Sequence, residues 1–228
     1  TVRETALPLA AACREYGRER KVYLFSRRRG LEPGATIRGM AEDQAEAMKK
    51  LGLWGADVLG ISQGGMVAQH LAAEAPELVR RLVLVVTAGW ANETVQETVG
   101  RWLLLAERGD YRRLMRDTAE RSYSQRYLRR YRLLLPLLGT IGRPRSYQRF
   151  LIQARACLGH DARGALGRIG CPALVVGGGR DQVVGAEAAG VLAEHLSQSR
   201  LWIYPELGHG LYEEAADLPA RVLAFLSQ

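Results

Sequence analysis

Apolar positions along this chain repeat with two different spacings. Over residues 5–17, 37–51, 63–75, 185–196 and 211–226 they return every third or fourth residue, the period of a helix that buries one face. Over 21–25, 56–59, 82–86, 172–176 and 201–204 they form short apolar runs, as in strands covered on both sides. Local signals set the boundaries: Thr36 is placed to cap the helix that Gly52 ends, and Pro76 stops the helix that starts at Gln63. Strand, helix, strand over 56–86 predicts a parallel crossover unit.

The stretch 91–165 differs. It has no clear strand and is rich in arginine, leucine and tyrosine, as in Tyr111-Arg112-Arg113-Leu114-Met115. Several helices are expected, with a break at Leu135-Pro136. Arginine alternating with leucine at helical spacing reads as helices with a wet face rather than as a polyanion site.

Composition narrows the classes. A chain of 228 residues with 47% hydrophobic and 25% charged residues is globular and long enough for one core with an inserted subdomain. No apolar run reaches the roughly 18 residues of a membrane-spanning helix, so no membrane partner is expected, and no secretory signal opens the chain. It begins at Thr1 rather than Met, which leaves room for residues upstream. The net charge is +8 and lysine occurs only at Lys21, Lys49 and Lys50. Without an accompanying motif, the arginine excess predicts no nucleic-acid partner. Cys13, Cys157 and Cys171 are odd in number and far apart, which predicts free thiols in a reducing, cytoplasmic compartment and no disulfide framework or metal site.

Ser26-Arg27-Arg28-Arg29-Gly30 reads as a loop, either a solvated turn or one that fixes neighbouring loops. The glycine-rich turn Gly177-Gly178-Gly179-Arg180-Asp181 follows a strand but lacks the phosphate-loop and dinucleotide patterns.

The candidate chemistry centres on Gly60-Ile61-Ser62-Gln63-Gly64, a G-x-S-x-G at a strand-to-helix junction. A serine on so sharp a turn is strained, and glycines at Gly60 and Gly64 are expected to remove side-chain collisions there. Its hydroxyl needs a base, and the base needs an orienting acid. His70 and His195 fall inside helices, and His160 adjoins Asp161 at the end of the helical stretch. His209 alone lies between two glycines in a loop after a strand. Asp181 also follows a strand end, so all three loops gather at the carboxyl edge of a parallel sheet.

These segments resemble the α/β-hydrolase superfamily, in its small esterase and haloperoxidase-like branch. The likeness rests on Gly60 to Ala68, on Pro76-Glu77-Leu78-Val79-Arg80-Arg81-Leu82-Val83-Leu84, on Cys171 through Asp181 and on Gly208-His209-Gly210. It covers about 20–90 and 166–228. The resemblance implies an α/β fold, a mostly parallel sheet flanked by helices, with core segments 1–90 and 166–228 and an all-helical cap at 91–165. It implies Ser62 as nucleophile, His209 as base then acid, Asp181 as orienter and the Gln63 N–H as one oxyanion-hole donor. No metal or cofactor is implied. The expected activity is cleavage of a small-molecule carboxylic ester or related acyl substrate, with Trp90, Trp102, Tyr123 and Tyr127 as candidates to line an acyl pocket. Perhydrolysis, acyl transfer and carbon–carbon hydrolysis share this machinery, and a non-catalytic ligand- or partner-binding protein is the alternative from another class.

The departure is N-terminal. The family carries a strand and an HG-type loop, source of the second oxyanion donor, before its first core helix. Here Thr1-Val2-Arg3-Glu4 leads almost directly into that helix. About five strands are expected where the family has eight, and a bare sheet edge would leave room for a homo-oligomer.

Overall fold

The computed structural model describes residues 13–130, 144 and 146–228. The expected break at Leu135-Pro136 and most of the expected helix over 5–17 lie outside them; within the described part of the latter is a short 3₁₀ turn, Tyr16–Arg18.

Four parallel strands form the sheet in the order β1-β2-β3-β4: β1 is Ala56–Ile61, β2 Val79–Val85, β3 Ala173–Gly178 and β4 Ser199–Tyr204. The two inner strands are the apolar ones. Leu82, Val83, Leu84 and Val85 are each 0% exposed, whereas Leu59 on β1 and Leu201 on β4 are 37% and 45% exposed. Alternation sorts the inner side chains between two faces. Leu82, Leu84, Ala173 and Val175 join one core, with α1 (Ile37–Lys50), α2 (Gln63–Glu74) and α8 (Ala188–Glu194). Val83, Val85, Leu174 and Val176 join the other, under α9 (Leu211–Glu214) and α10 (Leu218–Leu226).

Local chemistry explains the helix ends. The Thr36 hydroxyl accepts from the Gly39 N–H at 3.0 Å, which caps α1 as its sequence predicts. Residues 211–226 were expected as one helix and are two. Pro219 has no N–H and would clash with the carbonyl of Ala215 in a continuous helix, so the chain extends at Ala215 and restarts at Leu218.

The expected strand over 21–25 is absent. Val22, Tyr23 and Leu24 are exposed, and no described strand pairs with this segment. β-branched and aromatic residues favour a pleated conformation only where a ladder and a covered face reward it. Here the local contact is Lys21 over the Tyr23 ring at 5.2 Å.

Between β2 and β3 the described elements are helical: α3 (Glu93–Glu107), α4 (Tyr111–Ser122), α5 (Gln125–Arg130), α6 (Gln148–Leu158) and α7 (Arg163–Leu166). The two ends of this insert are stitched together where they leave the body. Trp90 bridges Asp161, the Ala91 N–H donates to the His160 carbonyl at 2.9 Å, and the Ala162 N–H donates to that of Gly89 at 2.8 Å. Several of its described arginines face water and pair within the insert, as in Arg101–Asp117, Arg116–Glu120 and Arg155–Glu107. Such exposed pairs contribute about 0–1 kcal/mol each. Among the described residues no helix is long and apolar enough to cross a membrane.

Candidate active site

At the carboxyl end of β1 the chain turns sharply through Ser62, whose φ of 52° and ψ of −122° are outside the regions a non-glycine residue prefers. The turn is held by its neighbours: the Ser62 N–H donates to the Val85 carbonyl, and the Gly65 N–H returns to the Ser62 carbonyl at 2.8 Å. A Cβ on Gly60 would lie 2.6 Å from the Gly64 oxygen, so glycine is required there. Gly64 is different, since a Cβ would meet nothing within 4 Å. The second close approach is at Gly65, where a Cβ would sit 2.6 Å from Thr87. Glycine thus lets α2 press against the end of β2, a need that the five-residue pattern does not reveal.

Three side chains from three strand ends converge on this turn. The Ser62 hydroxyl lies 2.9 Å from Nε2 of His209, and Nδ1 of the same ring lies 2.9 Å from Oδ2 of Asp181. A carboxylate only accepts, so Nδ1 carries the proton and donates to Asp181, and Nε2 is left to accept from Ser62. Asp181 is 5% exposed, and its other oxygen accepts from the N–H groups of Val183 and Val184 at 2.8 and 3.0 Å. The acid therefore has a fixed direction. At the start of α2, the first N–H groups lack an intrahelical partner and carry the positive end of the helix dipole. Gln63 and Gly64 supply these groups beside Ser62.

The insert braces this constellation. Asn92, which also caps α3, donates to the Val184 carbonyl at 2.7 Å, and the Thr98 hydroxyl donates to that of Gln182 at 3.0 Å. Both hold the loop that bears Asp181. The glycines around His209 make room for the same insert. A Cβ on Gly208 would lie 2.9 Å from the Ser122 carbonyl oxygen, and one on Gly210 would lie 2.4 Å from the Tyr123 ring.

The Gln63 side chain has a role that its sequence position does not announce. Its amide oxygen accepts from Arg27, and its NH₂ donates to the Gln153 carbonyl at 3.1 Å and to Cys157 Sγ at 3.2 Å. Arg149 in turn donates to the carbonyls of Arg27, Arg28 and Arg29. The arginine triplet therefore fixes neighbouring loops, with Arg28 paired to Asp43 at 3.2 Å. Burial pushes the Cys157 thiol up to about 11, which leaves it protonated and a poor nucleophile.

The four aromatic candidates do not meet in one place. Trp90 packs edge-on against His195 at 5.5 Å, and the Trp102 N–H donates to Asp117 between α3 and α4 at 2.9 Å. Tyr123 and Tyr127 stack on each other at 4.6 Å, and Tyr123 alone of the four closes on the histidine loop. Burial, and then the neighbouring Glu213 carboxylate, hold the Tyr123 phenol above its usual range. Thr1 and Val2, next to the expected gap in the oxyanion hole, lie outside the described residues. Two surface grooves, of 430 and 300 Å³, are remote from this chemistry. They flank β3 and β4 beside Arg200, Phe225 and Gln228 and include no member of the Ser62, His209 and Asp181 constellation.

Comparison with known proteins places the fold. A family model described as the alpha/beta hydrolase fold matches residues 23–216. A pimeloyl-[acyl-carrier protein] methyl ester esterase of Neisseria meningitidis serogroup C is 32% identical over 173 residues, which is 71% of this chain and 65% of that protein. The mouse serine hydrolase BPHL is 29% identical over 179 residues, 78% of this chain and 56% of its own length. The chain thus spans less than two thirds of these relatives. Among solved structures, an alpha/beta hydrolase enzyme from a Medee basin deep-sea metagenome library superposes with a TM-score of 0.77 at 25% identity, covering 87% of this chain and 74% of its own. The enol-lactonase of Burkholderia xenovorans LB400 shares the fold at the same TM-score with 21% identity, covering 87% of this chain and 76% of its own.

Proposed function

The chain belongs to the α/β-hydrolase family, and on that premise we propose that it hydrolyses a carboxylic ester through an acyl-enzyme on Ser62. The observation that carries this reading is the unbroken relay from Ser62 through His209 to Asp181, with 2.9 Å at both steps. A hydroxyl, a neutral imidazole and a buried carboxylate in that order are what activation of a serine needs.

Ser62 Oγ attacks the ester carbonyl as its proton passes to Nε2 of His209. The oxyanion that forms accepts from the Gln63 N–H, reinforced by the start of α2. Collapse of the tetrahedral intermediate expels the alcohol, which takes the proton from His209. Water then enters, gives a proton to His209 and attacks the acyl carbon. The second collapse releases the carboxylic acid and returns the proton to Ser62. Asp181 remains ionised and keeps the imidazole in its working tautomer. The helices between β2 and β3 act as a cap that selects the acyl group. The N. meningitidis relative is named for a methyl ester, so short-chain methyl and p-nitrophenyl esters are the first substrates to assay.

The test is covalent labelling of folded protein with a fluorophosphonate. An adduct is expected on the wild type and its absence is expected on Ser62→Ala. A wild type that folds but takes no label on Ser62 would overturn the hydrolase reading and favour a ligand-binding role.

A further inference from the structure

The backbone of the loop that carries His209 is tied both to the body and to the insert. From the body of the protein, the Arg180 N–H donates to the Leu207 carbonyl at 3.0 Å. From the insert, the Ser122 carbonyl accepts from the Gly210 N–H at 2.7 Å, one residue beyond the histidine. Ser122 ends α4, where carbonyls have no helical partner and are free to accept from elsewhere. Whether that carbonyl stays in place depends on the extended link that follows it, Tyr123, and on the next residue, Ser124.

Ser124 is held by Glu214. Its N–H donates to Oε1 at 2.9 Å and its hydroxyl donates to Oε2. The same hydroxyl oxygen accepts from the Tyr127 N–H at 3.2 Å and so caps α5. Glu214 closes α9, the short helix that starts right after Gly210. The contacts therefore make a ring: from His209 through Gly210 and α9 to Glu214, across to Ser124, back to Ser122 and onto Gly210 again. A carboxylate suits the place because it offers two acceptors to two donors on one residue, and charge-assisted bonds of this kind are stronger than neutral ones.

We propose that Glu214 is a positioning residue for His209: by gripping Ser124 it holds the Ser122 carbonyl on the Gly210 N–H and so sets the imidazole between Asp181 and Ser62. This rests on the reading of His209 as the base. It makes the insert part of the catalytic alignment as well as a cover, and it gives Gly208 and Gly210 a common purpose, close approach of the insert backbone.

The experiment compares Glu214→Ala with Glu214→Gln in the full chain. Glutamine keeps the length, accepts from the Ser124 N–H and can donate to the Ser124 oxygen, so it is the rescuing variant. Two readouts are used. One is kcat and KM with p-nitrophenyl acetate. The other, independent of turnover, is the downfield Nδ1–H proton resonance of His209, assigned by its loss in Asp181→Asn. In Glu214→Ala, kcat should fall about tenfold with KM within about twofold, as expected of a small misplacement of a reacting group, and the resonance should broaden or vanish. Glu214→Gln should restore both. A folded Glu214→Ala that keeps the resonance and kcat overturns the proposal, as does an equal loss in Glu214→Gln. If Glu214→Ala does not fold, Ser124→Gly, which removes the hydroxyl arm to Glu214 at a helix-cap position where glycine is tolerated, carries the same test. If wild type takes no label on Ser62, the hydrolase reading falls, while the resonance still decides the role of Glu214.

Discussion

Two of the three buried histidines among the described residues, His209 and His160, are opposites. His209 is 7% exposed and His160 is 4% exposed, so accessibility does not separate them. Their partners do. Each ring nitrogen of His209 has a bond at 2.9 Å, one to a hydroxyl and one to a carboxylate. Among the described residues neither nitrogen of His160 makes a well-formed hydrogen bond, the Ala88 carbonyl offering only a weak contact, and its ring meets that of His70 edge-on at 5.5 Å. Burial, and then the proximity of His70, lower His160 to about 4, and the weaker pulls of the Ala88 carbonyl and Asp161 do not offset them. At neutral pH that ring is an uncharged wedge at the foot of the insert. Burial by itself turns a histidine into packing; a base needs a proton donor on one side and an acceptor on the other.

The hardest blow to this contrast is to take the acceptor away. Asp181→Asn should make His209 resemble His160, with the tautomer no longer fixed, and kcat should fall by about 10⁴. Asp161→Asn, beside the other histidine, should leave kcat within about threefold, because Asp161 is engaged by Arg163 on the surface. Initial rates of ester hydrolysis decide it, and a reversal of the two results would transfer the catalytic acid to Asp161.

A second prediction sharpens the contrast from the side of His160. Its folded value of about 4 lies below the ordinary histidine value. The unfolded chain therefore takes up a proton near pH 6.5 that the folded chain refuses, and stability falls as pH drops from about 6.5 towards 4. At pH 5 the loss relative to neutral pH should be about 2 kcal/mol. Urea unfolding at pH 7.5 and 5.0 should show it, and His160→Leu should flatten the dependence. Asp161, held near 2 by Arg163, titrates below this window and does not blur the comparison. An unchanged slope in His160→Leu would show that the acid sensitivity has another source.

The smallest effect concerns Thr87, which touches Gly65 of the elbow helix and immediately precedes Ala88, the residue whose carbonyl accepts from Gln69 at 3.1 Å. Gly65→Ala drives a methyl into the Thr87 side chain and should cost about 1–2 kcal/mol. Gly64→Ala meets nothing and should stay within about 0.5 kcal/mol. Thermal unfolding distinguishes the two, and equal shifts would mean that the elbow does not press on β2 as described.

Much of this was legible beforehand, for identifiable reasons. Leu82 to Val85 announced an inner strand because a strand buried on both faces admits no polar residue. Thr36 and Pro76 marked helix ends through their own backbone chemistry. The order Ser62, Asp181, His209 could be read because all three follow apolar runs, and the ends of parallel strands share one edge. The strand expected over 21–25 was misjudged, since a pleated composition says nothing about whether a neighbour exists to pair with it. The single helix over 211–226 failed at Pro219, whose effect on Ala215 outweighed the apolar period.

Sequence by itself determined most of the alternation of strands and helices, the three side chains Ser62, His209 and Asp181 that come together in one relay, and the edge of the sheet at which they gather. These depend on period, on turn residues and on chain order, all of which are local or topological. Only the tertiary structure decided that Gly65 rather than Gly64 is the second close approach. It also decided that Gln63 reaches Arg27 and Cys157, that His160 is a buried wedge, and that Glu214 grips Ser124 beneath the histidine loop. Each of those contacts joins segments from different elements, and the distance between such segments follows from how helices and sheet pack, which no spacing along the chain records.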